Sequence, residues 1–116
     1  MKNSKLNYKT LDSSDRATKC IIGLHGWTGN SDSFIPVAKR LNLQSTRWYL
    51  PEGPYKISES ERSWHAKKNG KWIINTAKNK LLTFINDIVL DEFSSTRTYV
   101  IGFSQGATVL YHTCLG

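Results

Sequence analysis

The chain has 116 residues, 39% hydrophobic and 22% charged, proportions that indicate one globular domain and exclude a disordered or fibrous chain. No apolar run is long enough for a membrane-spanning helix, and the basic N-terminal segment lacks the apolar core of a signal peptide. The formal net charge is +7, but the sixteen Lys and Arg are dispersed and accompany no nucleic-acid-binding motif, so we expect no nucleic-acid partner.

The first half of the chain predicts an edge strand, a buried strand and a helix. Weak alternation near residues 6–10 favours the edge strand, with a turn at 12–15. The continuous apolar run at 19–24 is typical of a strand buried on both faces of a parallel sheet. A glycine-bearing loop at 25–30 follows.

The helix after this loop has recognisable start signals. Ser33 is placed to cap it and Pro36 lies in its first turn, where the missing N–H is harmless. Four apolar residues share one helical face and are predicted to be buried: Phe34, Val37, Ala38 and Leu41.

The second half continues with strand, helix and strand. A strand is predicted at 46–50, and residues 55–70, the excursion, show no clear period and read as a surface segment anchored by Trp64. The longest periodic segment, 72–89, predicts a helix, and 97–103 predicts a strand. Strands alternating with helices favour an α/β fold with a parallel sheet and flanking helices, in one domain of residues 1–116 with a core from about residue 19.

The two cysteines bear on the cellular compartment. Cys20 and Cys114 lie inside apolar strand and helix patterns, so we expect both to be buried free thiols. Free thiols fit a reducing setting, which predicts a cytoplasmic protein.

The predicted strand at 97–103 leads into the sequence G-F-S-Q-G and then directly into an apolar helical pattern. This strand–turn–helix context makes Ser104 a candidate nucleophile at a sharp elbow, where Gly102 and Gly106 leave room for a tight turn. Ser104 is then expected to take a strained backbone conformation. The alternative is an ordinary strand-to-helix turn.

Acyl transfer also needs donors aimed at the developing oxyanion. The backbone N–H of Gln105 begins a helix, and a second N–H is expected from Trp27, in a loop that Gly26 allows to approach closely. His25 is expected to order this loop through hydrogen bonds. The alternative is that the loop is a tight turn with no catalytic role.

Four motifs occur together in order: L-H-G-W-T-G at 24–29, P-E-G-P at 51–54, S-W at 63–64 and G-F-S-Q-G at 102–106. With them the chain resembles the phospholipase/carboxylesterase family of α/β-hydrolases, which includes acyl-protein thioesterases and small bacterial carboxylesterases. The resemblance implies Ser104 as nucleophile, the N–H groups of Trp27 and Gln105 as oxyanion hole, and an acyl pocket bordered by Trp64 and the excursion.

The sequence departs from the family pattern in three places. Thr28 moves the next glycine one place later, Glu52 and Gly53 replace the usual pair between two prolines, and Ala107 replaces a second glycine after the nucleophile.

The acid and the base of a hydrolase triad are missing from the sequence. In α/β-hydrolases both follow the serine, whereas the twelve residues after Ser104 hold no Asp or Glu. Their one histidine, His112, lies about 12 Å along a predicted helix, too far to act as a base. A non-standard triad using His25 or His65 is a weak alternative. We therefore expect the N-terminal half of an α/β-hydrolase, truncated after the elbow helix and inactive alone.

These observations together predict a serine hydrolase for small-molecule or lipid-like esters or thioesters. No metal or organic cofactor is implied, because every reacting group is a protein group. Two alternatives remain: a non-catalytic α/β binding domain that keeps the elbow as scaffold, and another enzyme on the same scaffold, such as a peptidase or a lactone hydrolase.

Overall fold

The computed structural model describes residues 5–115. In this range the chain forms eight strands: β1 (Tyr8–Asp12), β2 (Lys19–Leu24), β3 (Thr46–Pro51), β4 (Tyr55–Lys56), β5 (Arg62–Ser63), β6 (Ala66–Lys68), β7 (Lys71–Ile73) and β8 (Thr98–Gly102). Its α-helices are α1 (Ile35–Leu41), α2 (Asn75–Phe84) and α3 (Gln105–Leu115). A π-helical turn (Ile85–Val89) continues α2, and a 3-10 turn (Ser95–Arg97) precedes β8.

Four strands form the central sheet, in the order β1-β3-β2-β8. β2 pairs in parallel with both β3 and β8, so that Ile22 lies opposite Tyr49 on one side and Val100 on the other. β1 pairs antiparallel with β3 and closes that edge. The predicted α/β fold and the N-terminal edge strand are confirmed, and the antiparallel β1 makes the sheet mixed.

Helices cover both faces of this sheet, which separates two hydrophobic cores. On one face, α2 and α3 pack on alternate residues of β2 and on Trp64, through Ala77, Leu81, Phe84 and Val109. On the other face, α1 packs through Phe34 and Ala38 against Trp48 and Leu50. Successive side chains of a strand point to opposite faces, so neighbouring residues of β3 serve the two cores.

The prediction for α1 was right about the helix and wrong about its start and part of its face. Ser33 does not cap α1: its hydroxyl oxygen accepts a hydrogen bond from the Asn30 N–H at 2.9 Å, so it closes the preceding loop instead. Val37 and Leu41 are exposed, because this short helix packs on the sheet through Phe34, Ile35 and Ala38 instead.

The helix predicted from residue 72 begins later, at Asn75. Trp72 lies instead in β7, which pairs antiparallel with β6 across a turn at Asn69 and Gly70. Both turn residues have positive φ, 52° and 77°, as a two-residue hairpin turn requires. The hairpin turn therefore determines the structure of residues 72–74, and the helix begins only after them. The excursion therefore contains the paired strands β4 and β5 and also β6, whose partner β7 follows directly after it, and the sequence did not predict these strands.

The cysteine prediction was right for one residue of two. Cys20 is buried and its thiol donates to Thr98 Oγ1 at 3.5 Å. Cys114 is a free thiol but exposed. It lies about 140° around α3 from the buried Val109, away from the face that packs on the sheet.

Candidate active site

The elbow joins β8 to α3 at Ser104. Ser104 has φ of +56°, the left-handed region that a non-glycine residue enters at a cost of about 1–2 kcal/mol. α3 begins at the next residue, Gln105. The strained conformation expected at Ser104 from the sequence is thus present, and it leaves the serine exposed at the carboxyl end of β8.

Glycines on either side of Ser104 allow backbone to touch backbone. A Cβ on Gly106 would overlap Leu24 O and lie 2.7 Å from His25 O, so the first turn of α3 rests directly on the end of β2. A Cβ on Gly102 would lie 2.7 Å from Gly106 O. Ala107 is exposed, so the alanine that departs from the family pattern lies outside this close contact.

The loop after β2 lies against the elbow. A Cβ on Gly26 would lie 3.1 Å from Phe103 Cδ2 and 3.3 Å from Phe103 O, so a glycine lets the loop come this near without a small shift of Phe103. Trp27 follows at once. Within the described residues 5–115, the backbone N–H of neither Trp27 nor Gln105 donates a hydrogen bond to a protein acceptor.

His25 is buried beneath this loop and uses both ring nitrogens. Nε2 accepts a hydrogen bond from the Gly53 N–H at 2.9 Å, which makes Nδ1 the protonated nitrogen, and Nδ1 donates to Gly26 O at 2.6 Å. Burial lowers the pKa of His25 and so favours this neutral form. His25 therefore ties the loop to the P-E-G-P segment and has no nitrogen left for proton transfer.

Trp64 is fully buried and holds the excursion against the site. Its indole N–H donates to His25 O at 2.9 Å, and its backbone N–H donates to the side-chain oxygen of Gln105 at 2.7 Å. The indole also stacks on the His25 ring, with centroids 5.2 Å apart. Gln105 thus contributes its side chain to the excursion, as well as its backbone to the elbow.

An open groove of about 520 Å³ lies beside Ser104 and is lined by His65, Trp72, Ile74, Ser104, Gln105 and Thr108. Trp64, expected to border the pocket, is not among these residues, because its ring points into the core beneath them. Sequence reasoning missed His65 and Trp72 as lining residues. The only signal for His65 was its position directly after the S-W motif, and Trp72 was assigned to a helix.

His65 is nearly buried, and both of its ring nitrogens lack a hydrogen-bond partner among the described residues. Burial lowers the pKa of His65 and the nearby His112 lowers it further, while the Ile73 backbone beside the ring acts in the opposite direction without forming a regular hydrogen bond. The imidazole is therefore biased toward its neutral form, with one donor and one acceptor unpaired.

No triad is assembled in the part of the chain that the structure describes. Ser104 Oγ is hydrogen-bonded to no histidine there, and no Asp or Glu lines the groove. His112 lies on α3, as predicted, eight residues beyond Ser104. The described residues also contain no cluster of His, Cys, Asp or Glu able to hold a metal ion, and no helix among them is long and apolar enough to cross a membrane.

The family model described as Phospholipase/Carboxylesterase matches residues 7–116. The chain belongs to this family. The resemblance expected from the four motifs is thereby confirmed.

The chain is also similar to individual proteins. An uncharacterised hydrolase of Schizosaccharomyces pombe is 25% identical over 90% of the chain and 49% of its own length. The crystal structure of esterase PE8 superposes with a TM-score of 0.79 at 22% identity, over 96% of the chain and 58% of that protein. Zea mays acyl-protein thioesterase 2 superposes with a TM-score of 0.68 at 18% identity, over 92% and 50%. The two structures share the fold, and the chain spans about half the length of these relatives.

Proposed function

We propose that Ser104 is the nucleophile of a serine hydrolase that cleaves carboxylic esters or thioesters through an acyl-enzyme. The observation that carries this proposal is the backbone of Ser104. It has a strained φ of +56° and lies between Gly102 and Gly106, where an added Cβ would collide with backbone atoms. Such strain collects at functional sites, where the surrounding structure enforces it and it pre-organises a reacting group.

The proposed chemistry follows from the groups around the serine. Ser104 Oγ attacks the carbonyl carbon while a base takes its proton, and the N–H groups of Trp27 and Gln105 stabilise the oxyanion. The intermediate collapses to an acyl-serine as the alcohol or thiol departs with that proton, and water then releases the acid. Gln105 lies at the start of α3, where free N–H groups and the helix dipole favour negative charge.

The acid and the base of this mechanism are proposed to come from residues outside the 116 of this chain. Its length of about half that of its relatives supports this, as does the absence of an acidic residue from the described groove lining. The chain alone is then inactive, because without a base Ser104 keeps the reactivity of an ordinary serine.

Fluorophosphonate labelling of the native protein in its source extract tests the proposal, because the probe reacts with an activated serine. We expect a labelled band near twice 13.2 kDa on a denaturing gel. Ser104→Ala abolishes this label, and the control Ser58→Ala, at an exposed serine of the excursion, keeps it.

The contrary result is an unlabelled native product of 13.2 kDa. It would overturn the hydrolase proposal for this chain and favour a non-catalytic α/β domain that keeps the elbow as scaffold.

A further inference from the structure

The hairpin of β6 and β7 presents a lysine beside the groove. Lys67 lies directly opposite Trp72 in the antiparallel register, and Lys67 Nζ lies 5.3 Å from the centroid of the Trp72 ring. Trp72 lines the same groove as Ser104. The ammonium group of Lys67 is therefore held next to the wall of the groove that contains the proposed nucleophile.

The other two lysines of the hairpin point elsewhere. Lys68 and Lys71 form the next cross-strand pair, and adjacent residues of a strand project to opposite faces. The two-residue turn at Asn69 and Gly70 keeps this register. Of the three lysines, only Lys67 shares the face of Trp72.

Lys67 carries a charge that the described part of the chain does not neutralise. None of the ion pairs among residues 5–115 includes Lys67, and no carboxylate lines the groove. Stacking on the Trp72 ring orients the ammonium group by a cation–π contact but leaves its N–H donors available. The arrangement is a positioned positive charge without a counter-ion in the described chain, stacked on a residue that lines the groove of Ser104.

We propose that Lys67 is a specificity-determining residue that binds an oxyanion group carried by the substrate, that is, a carboxylate or a phosphate. This group is distinct from the oxyanion that forms at the reacting carbonyl. This inference rests on the proposed function, since it concerns the ester or thioester held beside Ser104. The favoured substrates are esters that bear a carboxylate or phosphate on the part that extends along Trp72. The source of that oxyanion is either a small soluble ester or the head group of a single-chain lipid.

Binding of a charged and a neutral probe tests the proposal without requiring turnover. The probes are N-phenylsuccinamic acid, an amide analogue of a phenyl hemisuccinate ester, and its neutral primary amide. Affinities are measured by tryptophan fluorescence of the native protein. We expect the acid to bind about fivefold more tightly than the amide, the effect of about 1 kcal/mol from one partly exposed ion pair.

Three substitutions separate a local site from general surface charge. Lys67→Gln is expected to bring the affinity ratio of acid to amide close to one, and Lys67→Arg is expected to retain it. The matched control Lys68→Gln removes the same charge one residue away on the opposite face and is expected to keep the ratio. An unchanged ratio in Lys67→Gln, or equal losses in Lys67→Gln and Lys68→Gln, would overturn the proposal.

A second arm identifies the source of the oxyanion. Monomeric lysophosphatidate replaces the soluble acid, and binding that is weakened by Lys67→Gln but not by Lys68→Gln identifies a lipid head group as a substrate feature. Equal weakening by both substitutions indicates attraction to anionic lipid in general and counts against the site.

The outcomes for Lys67 and for Ser104 are distinguishable. Charge-selective binding without fluorophosphonate labelling would remove the hydrolase proposal and keep an oxyanion-binding groove. Labelling without charge-selective binding would remove only the role of Lys67.

Discussion

The elbow and the excursion meet at the same groove, but side-chain hydrogen bonds have a larger part in holding the excursion than in holding the elbow. The elbow rests on backbone contacts: the first turn of α3 presses on the end of β2, and the Phe103 N–H donates to Leu24 O at 3.1 Å. The excursion combines backbone bonds with side chains that reach into it: the Thr28 N–H donates to Arg62 O at 3.0 Å, and the Arg62 N–H donates to Gly29 O at 2.8 Å. His25 accepts from Gly53 and Trp64 reaches back to His25 O, while Gln105 accepts from Trp64.

This difference separates the two regions energetically. The backbones at the elbow are in direct contact, so a side chain added at Gly106 must displace β2 and α3 together. The side-chain contacts of the excursion are individual hydrogen bonds, each worth about 1 kcal/mol. We infer that the groove wall formed by His65 and the β6–β7 hairpin opens at a lower free energy than the elbow that carries Ser104.

The largest expected effect breaks the elbow. Gly106→Ala places a Cβ against the backbone of Leu24 and His25 and should lower the free energy of unfolding by about 3 kcal/mol. Gly70→Ala is the matched control, because a Cβ there meets open space and faces only the penalty of φ +77°, about 1 kcal/mol. Urea unfolding of the two variants measures the difference, and equal losses would contradict the rigidity assigned to the elbow.

A smaller effect should release the excursion alone. Gln105→Ala removes the acceptor of the Trp64 N–H and should cost about 1–2 kcal/mol, because it leaves that donor unpaired. Amide hydrogen exchange should become faster at Trp64 and in β6 and β7 while β2 stays protected.

The control for this change is Thr108→Ala, one turn further along the same groove. It should leave exchange in the excursion unchanged. Unaltered protection of Trp64 in Gln105→Ala would show that Gln105 does not hold the excursion.

The smallest effect concerns His65, whose ring nitrogens are buried without partners in the described chain. His65→Phe keeps an aromatic ring and removes both unpaired polar atoms, so we expect a change between zero and about 1 kcal/mol of added stability. His65→Gln, which keeps a buried polar group, should not gain. A loss of more than 1 kcal/mol in His65→Phe would indicate a bound partner such as water.

The same variant should alter the pH dependence of stability. Because burial lowers the pKa of His65 from 6.5, the unfolded chain binds more protons in mild acid. The contribution of neutral His65 to the free energy of unfolding is complete above pH 6.5. It is lost as the pH falls toward the lower pKa of His65 in the folded protein. Between pH 8 and 5, the free energy of unfolding should fall less steeply in His65→Phe than in the unsubstituted protein. The remaining slope is due to His25, whose pKa is also lowered by burial.

Much of the scaffold followed from local patterns. The apolar run of β2 and the glycine-flanked serine predicted a buried strand and a strained turn, and both are present at the predicted residues. They were readable because a continuous apolar run and a G-x-S-x-G turn are properties of neighbouring residues. The motif order likewise indicated the family that the family model confirms.

The composition of the groove wall was decided only by tertiary structure. Trp64 was correctly expected to anchor the excursion but lies beneath the groove, while His65 and Trp72 line it. Spacing along the chain does not reveal which side of a short strand meets a helix that begins some forty residues later. That choice depends on which hydrogen bonds and ring contacts close across the fold.

The sequence by itself therefore determined the strand–turn–helix elbow and the sheet that carries it, because backbone strain and apolar periodicity are local. Only the tertiary structure decided that Gln105 holds the excursion, that His65 is left unpaired, and that Lys67 and Trp72 stand at the rim. Apart from the Lys67–Trp72 pair, which a local hairpin brings together, these contacts join residues far apart in the chain, and their free energy exists only after the layers have packed.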